Sequence, residues 1–254
     1  MMLQVVNIEN MRLVWKRLGV DVIYTFESNT QLAKELQWRV LYIDKLTKTV
    51  ELTTSQAISK TVSFSGLDGY KNAINVLDDS CNVYGGGKGA ISGRSIRKED
   101  IDYITGFNKY EYRESDDYYG DIYYGEERSY TSGTFYNEDG SEMVASEKNP
   151  VVMRNYLYEY NLEEYITDSD ILNMIGRRGY WTADQYVFLF NKGVSFGIGI
   201  LRGESNQISG NSLFREGLYP IYGRSLCIRP VVTLNSNIKT ENEKKDDIWQ
   251  LIVE

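Results

Sequence analysis

Histidine is absent from this chain of 254 residues. Without an imidazole, neither a Ser–His nor a Cys–His nucleophile can be assembled, and a zinc or iron site with histidine ligands cannot form. Hydrolysis by a pair of carboxylates and calcium sites made of oxygen ligands are still compatible with the composition. The absence therefore favours a protein that binds a partner over a protein that transforms one.

Cysteine and proline are also scarce, with two and three residues respectively. Cys81 and Cys227 are too far apart in sequence for a zinc motif or a redox pair. We expect both thiols to be small buried side chains without a disulfide, because the N-terminus lacks the pattern of a signal peptide and indicates synthesis in a cytoplasm. No apolar run reaches the roughly 18 residues that a membrane-spanning helix needs.

The charge balance is acidic, with a formal net charge of −8. Proteins that bind nucleic acid need a positive surface to displace the counterions of the phosphates, and anionic lipid attracts the same kind of surface. We therefore expect neither nucleic acid nor a membrane as a partner, and we predict no cofactor and no metal. Apolar residues make up 42% of the chain, which is enough for a sizeable core.

The first half of the chain shows clear periodicities. Alternating apolar residues predict a β-hairpin over 37–54, whose first strand is expected to be central. A spacing of three and four predicts a helix over 67–84 that ends at a run of three glycines. A short strand over 90–96 and a short helix over 98–104 follow.

The last third of the chain is strand-like. Val194, Phe196, Ile198 and Ile200 alternate with small residues, and a turn that contains Gly193 joins this run to the strand before it. A short helix over 169–174 is predicted before these strands. One closing strand is predicted over 225–234, and a final edge strand around 249–253.

Residues 105–150 differ in composition from the rest of the chain. They contain eight of the 21 tyrosines, and eleven acidic residues against four basic ones. Tyrosine provides a large and rigid contact area at a low entropic cost, which is typical of binding loops. We interpret the segment as a long, ordered insertion with strand fragments. A solvated lid whose tyrosines cover the core is the alternative.

Acidic residues occur in adjacent pairs. Neighbouring residues of a strand point to opposite faces, so such pairs do not form a ready catalytic couple, and a solvated loop is the simpler interpretation. The pairs are Asp116 and Asp117, Glu126 and Glu127, and Glu163 and Glu164.

The C-terminal third also combines aromatic and polar side chains near its loops. Flat aromatic faces beside amide and hydroxyl groups suit the recognition of sugars or proteins, although alternation along the strands assigns part of the set to the core. The candidate ligand-binding residues are Tyr186, Phe188, Phe190, Asn206, Asn211, Phe214, Tyr219 and Tyr222.

Several motifs together resemble a known family. The motifs are Trp38-Arg39-Val40-Leu41-Tyr42-Ile43-Asp44, Gly69-Tyr70-Lys71-Asn72-Ala73 with Leu77 and Cys81, Arg94-Ser95-Ile96-Arg97-Lys98-Glu99-Asp100-Ile101, Tyr180-Trp181-Thr182-Ala183, and Ile228-Arg229-Pro230-Val231-Val232-Thr233-Leu234. The set is similar to a family of clostridial phage, prophage and bacterial surface proteins, in which the last segment reads roughly "YWLAS … GVRPVVSL". The resemblance covers residues 37–104 and 180–235.

The resemblance implies an α+β, C-type-lectin-like fold, like that of formylglycine-generating enzymes and of the variable receptor-binding proteins of retroelements. We accordingly expect an N-terminal arm over 1–36 and one domain over 37–254 that carries the insertion. The resemblance implies framework roles for Trp38, Trp181, Arg229 and Pro230. Formylglycine-generating enzymes bind copper through two cysteines, whereas Cys227 has no second cysteine near it in sequence. The resemblance therefore implies a fold and not the oxidase activity.

These observations lead to a functional hypothesis. We predict a non-enzymatic structural or binding protein of a phage or prophage virion, assembled in the host cytoplasm. It would bind a host surface glycan or protein at the tail or decorate the capsid, contact other virion proteins, and could form a homo-oligomer. A carboxylate-based glycan hydrolase or a relative of the formylglycine oxidase is one alternative, and a bacterial surface adhesin is another.

Overall fold

The computed structural model describes residues 23–26, 36–44, 46–47, 49–86, 90–114, 122–137, 139–176, 178–190, 193–215, 219–221, 223–235, 238–240 and 248–253. The strands in these ranges are β1 (Ile23–Phe26), β2 (Trp38–Asp44), β3 (Thr49–Thr54), β4 (Ile58–Phe64), β5 (Ala90–Ser95), β6 (Arg113–Glu114), β7 (Ile122–Tyr123), β8 (Glu127–Tyr130), β9 (Gly133–Tyr136), β10 (Glu142–Ala145), β11 (Val151–Arg154), β12 (Tyr160–Asn161), β13 (Tyr180–Phe190), β14 (Gly193–Arg202), β15 (Gln207–Arg215), β16 (Tyr219–Pro220), β17 (Arg224–Ile228), β18 (Pro230–Asn235), β19 (Ile238–Thr240) and β20 (Ile248–Val253). The α-helices are α1 (Gly66–Asn82), α2 (Lys98–Thr105) and α3 (Ser169–Gly176).

The predicted fold class is wrong. In the part of the chain that the structure describes, strand far outweighs helix, so this part is mainly β and not the α+β, C-type-lectin-like mixed domain that the motifs implied. The physical reason lies in the tyrosine-rich and C-terminal regions, where aromatic and β-branched residues favour pleated backbone. These regions form ladders of paired strands, and the α-helices among the described residues are limited to α1, α2 and α3.

Two large sheets contain most of the strands. Sheet 1 has the order β19–β20–β1–β2–β3–β18–β5, and sheet 2 has the order β12–β15–β14–β13–β17–β4 with β16 beside β15. The predicted hairpin over 37–54 is confirmed as β2 and β3, and β2 lies inside the sheet as expected. The last strand is not at an edge, because β20 lies between β1 and β19.

Helix α1 packs between the two sheets. Its buried residues are Tyr70, Ala73, Leu77 and Cys81, whose spacings of three and four residues match the predicted helical period. The Tyr70 ring meets the rings of Phe196 and Phe214 edge-on, with centroids 5.7 Å apart in both cases. Residues from both sheets and from α1 belong to one continuous apolar cluster. The helix therefore connects the sheets through a shared core.

The chain passes from sheet 2 to sheet 1 at Arg229. The segment predicted as one closing strand is two strands, because β17 pairs with β4 and β13 in sheet 2 while β18 pairs with β3 and β5 in sheet 1. The guanidinium of Arg229 donates from Nη2 to the main-chain oxygen of Thr54 at 2.7 Å and from Nη1 to that of Ile175 at 3.3 Å. These bonds tie the crossing point to elements on either side of it.

The segments around the sheets form smaller ladders. Within 105–150 the structure contains the pairs β6–β7 and β9–β10, and β8 pairs with β11, which lies just beyond this range. Of the predicted arm over 1–36, only residues 23–26 and 36 are described, and β1 pairs with β2 and β20 of sheet 1.

Candidate functional site

The outer face of sheet 2 is covered by a short extended segment, residues 155–160, which we call the ridge. The main-chain nitrogen of Tyr156 donates to the oxygen of Val187 at 2.8 Å, which fixes the ridge against β13. Because side chains of an extended chain alternate, Tyr156 and Tyr158 line a cavity on one side, and Leu157 and Glu159 line another cavity on the other side.

Tyr186 lines both cavities and is itself 3% exposed. Its ring lies on Gly197 and Gly210, where an added Cβ would come within 2.4 Å and 2.5 Å of Tyr186 atoms. The Tyr186 hydroxyl is 3.1 Å from Oγ of Ser212, and burial raises the pKa of Tyr186. The small residues that alternate along β14 and β15 therefore make room for this ring.

The cavity lined by Leu157 and Glu159, which we call the phenyl groove, has a volume of about 300 Å³. The Phe188 and Phe190 rings stack within it with centroids 6.2 Å apart, and the Arg215 guanidinium lies 5.2 Å from the Phe190 centroid. The groove is lined by Leu157, Glu159, Tyr186, Phe188, Phe190, Ser195, Arg202, Gly210, Ser212 and Arg215. It combines flat aromatic faces with charged groups of both signs.

Hydroxyl and carboxyl groups complete the phenyl groove. Ser195 Oγ donates to Ser212 Oγ at 2.8 Å, and the Glu159 carboxylate accepts from the Ser209 hydroxyl and from the main-chain nitrogen of Gly210 at 3.3 Å. Glu159 is thereby oriented by the edge of β15. Such a set can donate and accept hydrogen bonds around a polar ligand whose apolar face rests on a phenyl ring.

The cavity lined by Tyr156 and Tyr158, which we call the tyrosine cavity, has a volume of about 250 Å³. The Tyr124 ring meets those of Tyr156 and Tyr158 edge-on, at 6.0 Å and 5.5 Å. Tyr124 comes from the tyrosine-rich insertion, so the insertion contributes to a cavity on sheet 2. The lining residues are Lys98, Glu99, Lys109, Tyr124, Tyr156, Tyr158, Asp184, Gln185, Tyr186 and Gly199.

Lys98 is buried beside the tyrosine cavity, with 3% of its surface exposed. Its Nζ donates to the main-chain oxygen of Tyr158 at 3.1 Å and lies 4.5 Å from the centroid of the Tyr158 ring. Burial lowers the pKa of Lys98 to about 8, although Asp184, Glu159 and Asp102 act in the opposite direction.

Two half-buried carboxyls accompany this lysine. Asp184 accepts from the main-chain nitrogen of Lys98 at 2.7 Å, and burial raises the pKa of Asp184. It lies where the β13–β14 ladder is interrupted, between Trp181 and Gln185. Asp102 accepts from the Tyr158 hydroxyl at 2.6 Å and the Tyr160 hydroxyl at 2.9 Å, and burial raises its pKa to about 6.

The structure brings three of the predicted ligand-binding residues together, namely Tyr186, Phe188 and Phe190, which all line the phenyl groove. Phe214 does not join them. It is 1% exposed and stacks on Phe196 in the core with centroids 4.8 Å apart. Strict alternation from Ser212 would place Phe214 on the outer face, but a register shift next to the Phe196–Phe214 pair turns it inward.

The predicted polar residues line neither cavity. Asn206 has a positive φ of 50° in the turn between β14 and β15, and it donates to Glu163 at 2.9 Å. Asn211 is half-buried on β15. Tyr219 belongs to β16, but its side chain is not described, and Tyr222 lies outside the described residues.

The residues predicted as framework are all buried. Trp38 and Trp181 are 0% exposed and Arg229 is 1% exposed, and Pro230 begins β18. The Trp181 indole donates to the main-chain oxygen of Val62 at 2.8 Å and meets the Phe64 ring edge-on. Trp181 thereby connects β13 with β4 across β17.

The acidic pairs that are described lie in surface interactions. Glu126 pairs with Arg128 at 3.0 Å, and Glu127 pairs with Arg154 across the β8–β11 ladder. Glu163 accepts from Asn206, whereas Asp116 and Asp117 lie outside the described residues. The carboxyls beside the cavities are instead Glu99, Glu159 and Asp184, which sequence reasoning missed.

The cysteines are both free thiols. Cys81 is buried in α1 as expected, and burial raises its pKa to about 12. Cys227 was also expected to be buried, but it is partly exposed. Within the described ranges no group of three or more cysteine and carboxylate side chains could hold a metal ion. None of the helices described there has the length and apolar character needed to span a membrane.

Comparison with known proteins gave no relatives. A scan against family models, a search of curated proteins and a search of solved structures each found no match to this chain.

Proposed function

We propose that this protein is a non-enzymatic binding protein of a phage or prophage particle and that it holds a surface glycan in the phenyl groove. The observation that carries the glycan proposal is the stacked pair Phe188 and Phe190 beside the Arg215 guanidinium, in a groove of about 300 Å³. A sugar ring has apolar C–H faces and a rim of hydroxyls, which fit phenyl faces and charged or hydroxyl groups respectively.

The polar groups around the phenyl groove support a glycan more than an apolar ligand. Arg202 and Arg215 supply donors at the exposed rim, Glu159 supplies an acceptor, and the Ser195–Ser212 pair lies at the base of the groove. The groove therefore offers donors and acceptors in several directions, as a polyhydroxylated ring requires. A protein ligand would need a larger contact surface.

Placement on a phage or prophage particle is supported by the family motifs around Trp38, Lys98, Trp181 and Arg229. Mass spectrometry of purified particles tests this part of the proposal. Recovery of the chain at a fixed ratio to a capsid or tail protein is expected, and its absence from purified particles would contradict the placement.

A glycan array probed with the purified chain tests the binding proposal. We expect the wild-type protein to bind specific glycans. Phe188→Ala/Phe190→Ala should lose about tenfold in affinity, because it removes two aromatic contacts that are each worth about 0.5–1.5 kcal/mol. Arg215→Met, which changes only the exposed rim, is a second variant that leaves the core intact and should also weaken binding. Tyr103→Ala removes an exposed aromatic side chain that lines neither cavity and serves as the matched control. Equal retention by all variants would exclude the phenyl groove.

A further inference from the structure

Lys98 lies in a setting that disfavours its positive charge. The side chain is 3% exposed, and its Nζ has the Tyr158 main-chain oxygen at 3.1 Å as a hydrogen-bond acceptor. Within the described ranges, no carboxylate comes within ion-pair distance of this nitrogen. A buried ammonium without an ion pair is costly, and loss of its proton relieves the cost.

The charged groups around Lys98 belong to three elements. Asp184 on β13, Glu159 in the ridge and Asp102 on α2 all favour the protonated lysine, and burial outweighs their combined effect. The pKa of Lys98 is therefore about 8, so about half of the side chains carry a neutral amine near pH 8. A neutral amine beside a cavity is a nucleophile.

We infer that Lys98 is a reactive amine that forms an imine with a small aldehyde or ketone held in the tyrosine cavity. The cavity volume of about 250 Å³ is sufficient for a carbonyl compound of a few carbon atoms. Rings of Tyr124, Tyr156 and Tyr158 surround this space, and Lys98 lies against Gly199, where a Cβ would come within 3.0 Å of the lysine Cε. This inference concerns the opposite side of the ridge from the phenyl groove and does not depend on glycan binding.

The reaction needs no oxidant or reductant. The Nζ lone pair attacks the carbonyl carbon, the C–N bond forms, and the π electrons of the carbonyl move to the oxygen. The nitrogen then loses both of its hydrogens, which leave with the oxygen as one molecule of water while the C=N bond forms. Asp184 lines the same cavity, and burial raises its pKa, so its carboxyl can pass these protons between nitrogen and oxygen.

Lys109 provides an internal comparison, because it lines the same cavity. Its Nζ donates to Glu99 at 2.8 Å and lies 5.3 Å from the centroid of Tyr124. Although burial acts to lower it, the hydrogen bond and charge of Glu99 raise the pKa of Lys109. Lys109 therefore lines the same cavity as Lys98, but its amine stays protonated.

Reductive trapping tests the inference. The full chain is incubated near pH 8 with glycolaldehyde and sodium cyanoborohydride, which reduces an imine to a stable amine, and the adducts are located by peptide mass spectrometry. We expect Lys98 to be modified at least about tenfold faster than Lys109, because the lower pKa leaves far more of it unprotonated. An inert buried lysine would instead be protected relative to exposed lysines.

Two variants accompany the trapping experiment. Lys98→Arg should abolish the fast modification, whereas Lys109→Arg should retain it. If Lys98→Arg does not fold, the ratio of Lys98 to Lys109 modification in wild-type protein decides the result alone. Modification of Lys98 no faster than that of Lys109 would overturn the inference. Arg215→Met should keep the fast modification, which separates this result from a failure of the phenyl groove.

Discussion

Two buried cations, Arg229 and Lys98, have similar surroundings and different bonding. Arg229 is 1% exposed and Lys98 is 3% exposed, and each lies over a tyrosine ring, at 5.2 Å from Tyr180 and 4.5 Å from Tyr158. The Arg229 guanidinium donates to two main-chain oxygens and to the Thr53 hydroxyl at 3.3 Å. The Lys98 ammonium faces a cavity and donates to one main-chain oxygen.

The difference indicates two roles for a buried charge. A guanidinium whose donors meet fixed backbone acceptors holds elements together, and here it holds the crossing between two sheets. A lysine with a lowered pKa beside a cavity can react with a ligand that the cavity holds. Stability should therefore depend strongly on Arg229, and reactivity should depend on Lys98.

The largest expected effect is that of Arg229→Met. The substitution keeps much of the side-chain volume but leaves the oxygens of Thr54 and Ile175 without these donors. We expect the free energy of unfolding to fall by about 4 kcal/mol, since buried polar groups that lose their partners are costly. Urea unfolding, monitored by tryptophan fluorescence, measures this free energy for the variant and for wild type.

Arg154→Met is the matched control for that variant. Arg154 pairs with Glu127 on the surface and is half exposed, so its loss should leave the urea midpoint unchanged. If Arg229→Met is no less stable than Arg154→Met, the hydrogen bonds of Arg229 do not hold the crossing between the two sheets.

The second largest effect concerns Lys98→Met. The difference in the free energy of unfolding between wild type and this variant should depend on pH. The pKa of Lys98 is about 8 in the folded protein, below its ordinary value of 10.5, so the unfolded chain binds more protons between these two pH values. Wild-type stability should therefore rise relative to Lys98→Met by about 3 kcal/mol from pH 8 to pH 10.5. Below pH 8 the variant should be at least as stable as wild type, because it removes a buried charge. Parallel urea-unfolding curves across the pH range would show that burial does not lower this pKa.

A smaller effect is expected from Gly197→Ala. The new Cβ would lie 2.3 Å from the main-chain oxygen of Asn211 and 2.4 Å from the Tyr186 hydroxyl, so the ring that separates the cavities must move. We expect a loss of about 2 kcal/mol of stability, as is typical of overpacking. Gly86→Ala is the control, because its Cβ would have no neighbour closer than 4.0 Å. Thermal unfolding distinguishes the two, and equal melting temperatures would contradict the packing of Tyr186.

Local structure could be predicted from the sequence where one periodicity dominates. The hairpin of β2 and β3, helices α1 and α2, and the β13–β14 hairpin follow directly from spacings of two or of three and four. The order of strands in the sheets could not be predicted. Pairs such as β18 with β3 and β17 with β4 join residues far apart in sequence, and no local pattern specifies them.

The candidate site could be predicted only in part. Alternation identified the aromatic face that contains Phe188 and Phe190, but two irregularities of register escaped it. The shift beside Phe214 turns that ring into the core, and the interruption of β13 brings Asp184 to the first residue of α2. Lys98 was missed because a lysine in the first turn of a helix is ordinarily exposed.

Glycan binding in the phenyl groove is tested most directly by a crystal structure of the protein with the glycan that it binds best on the array. A sugar ring is expected within about 4 Å of the Phe190 ring, with hydroxyls in hydrogen-bond contact with Arg215 or Glu159. A glycan bound anywhere other than the phenyl groove, or none bound at saturating concentration, would contradict it.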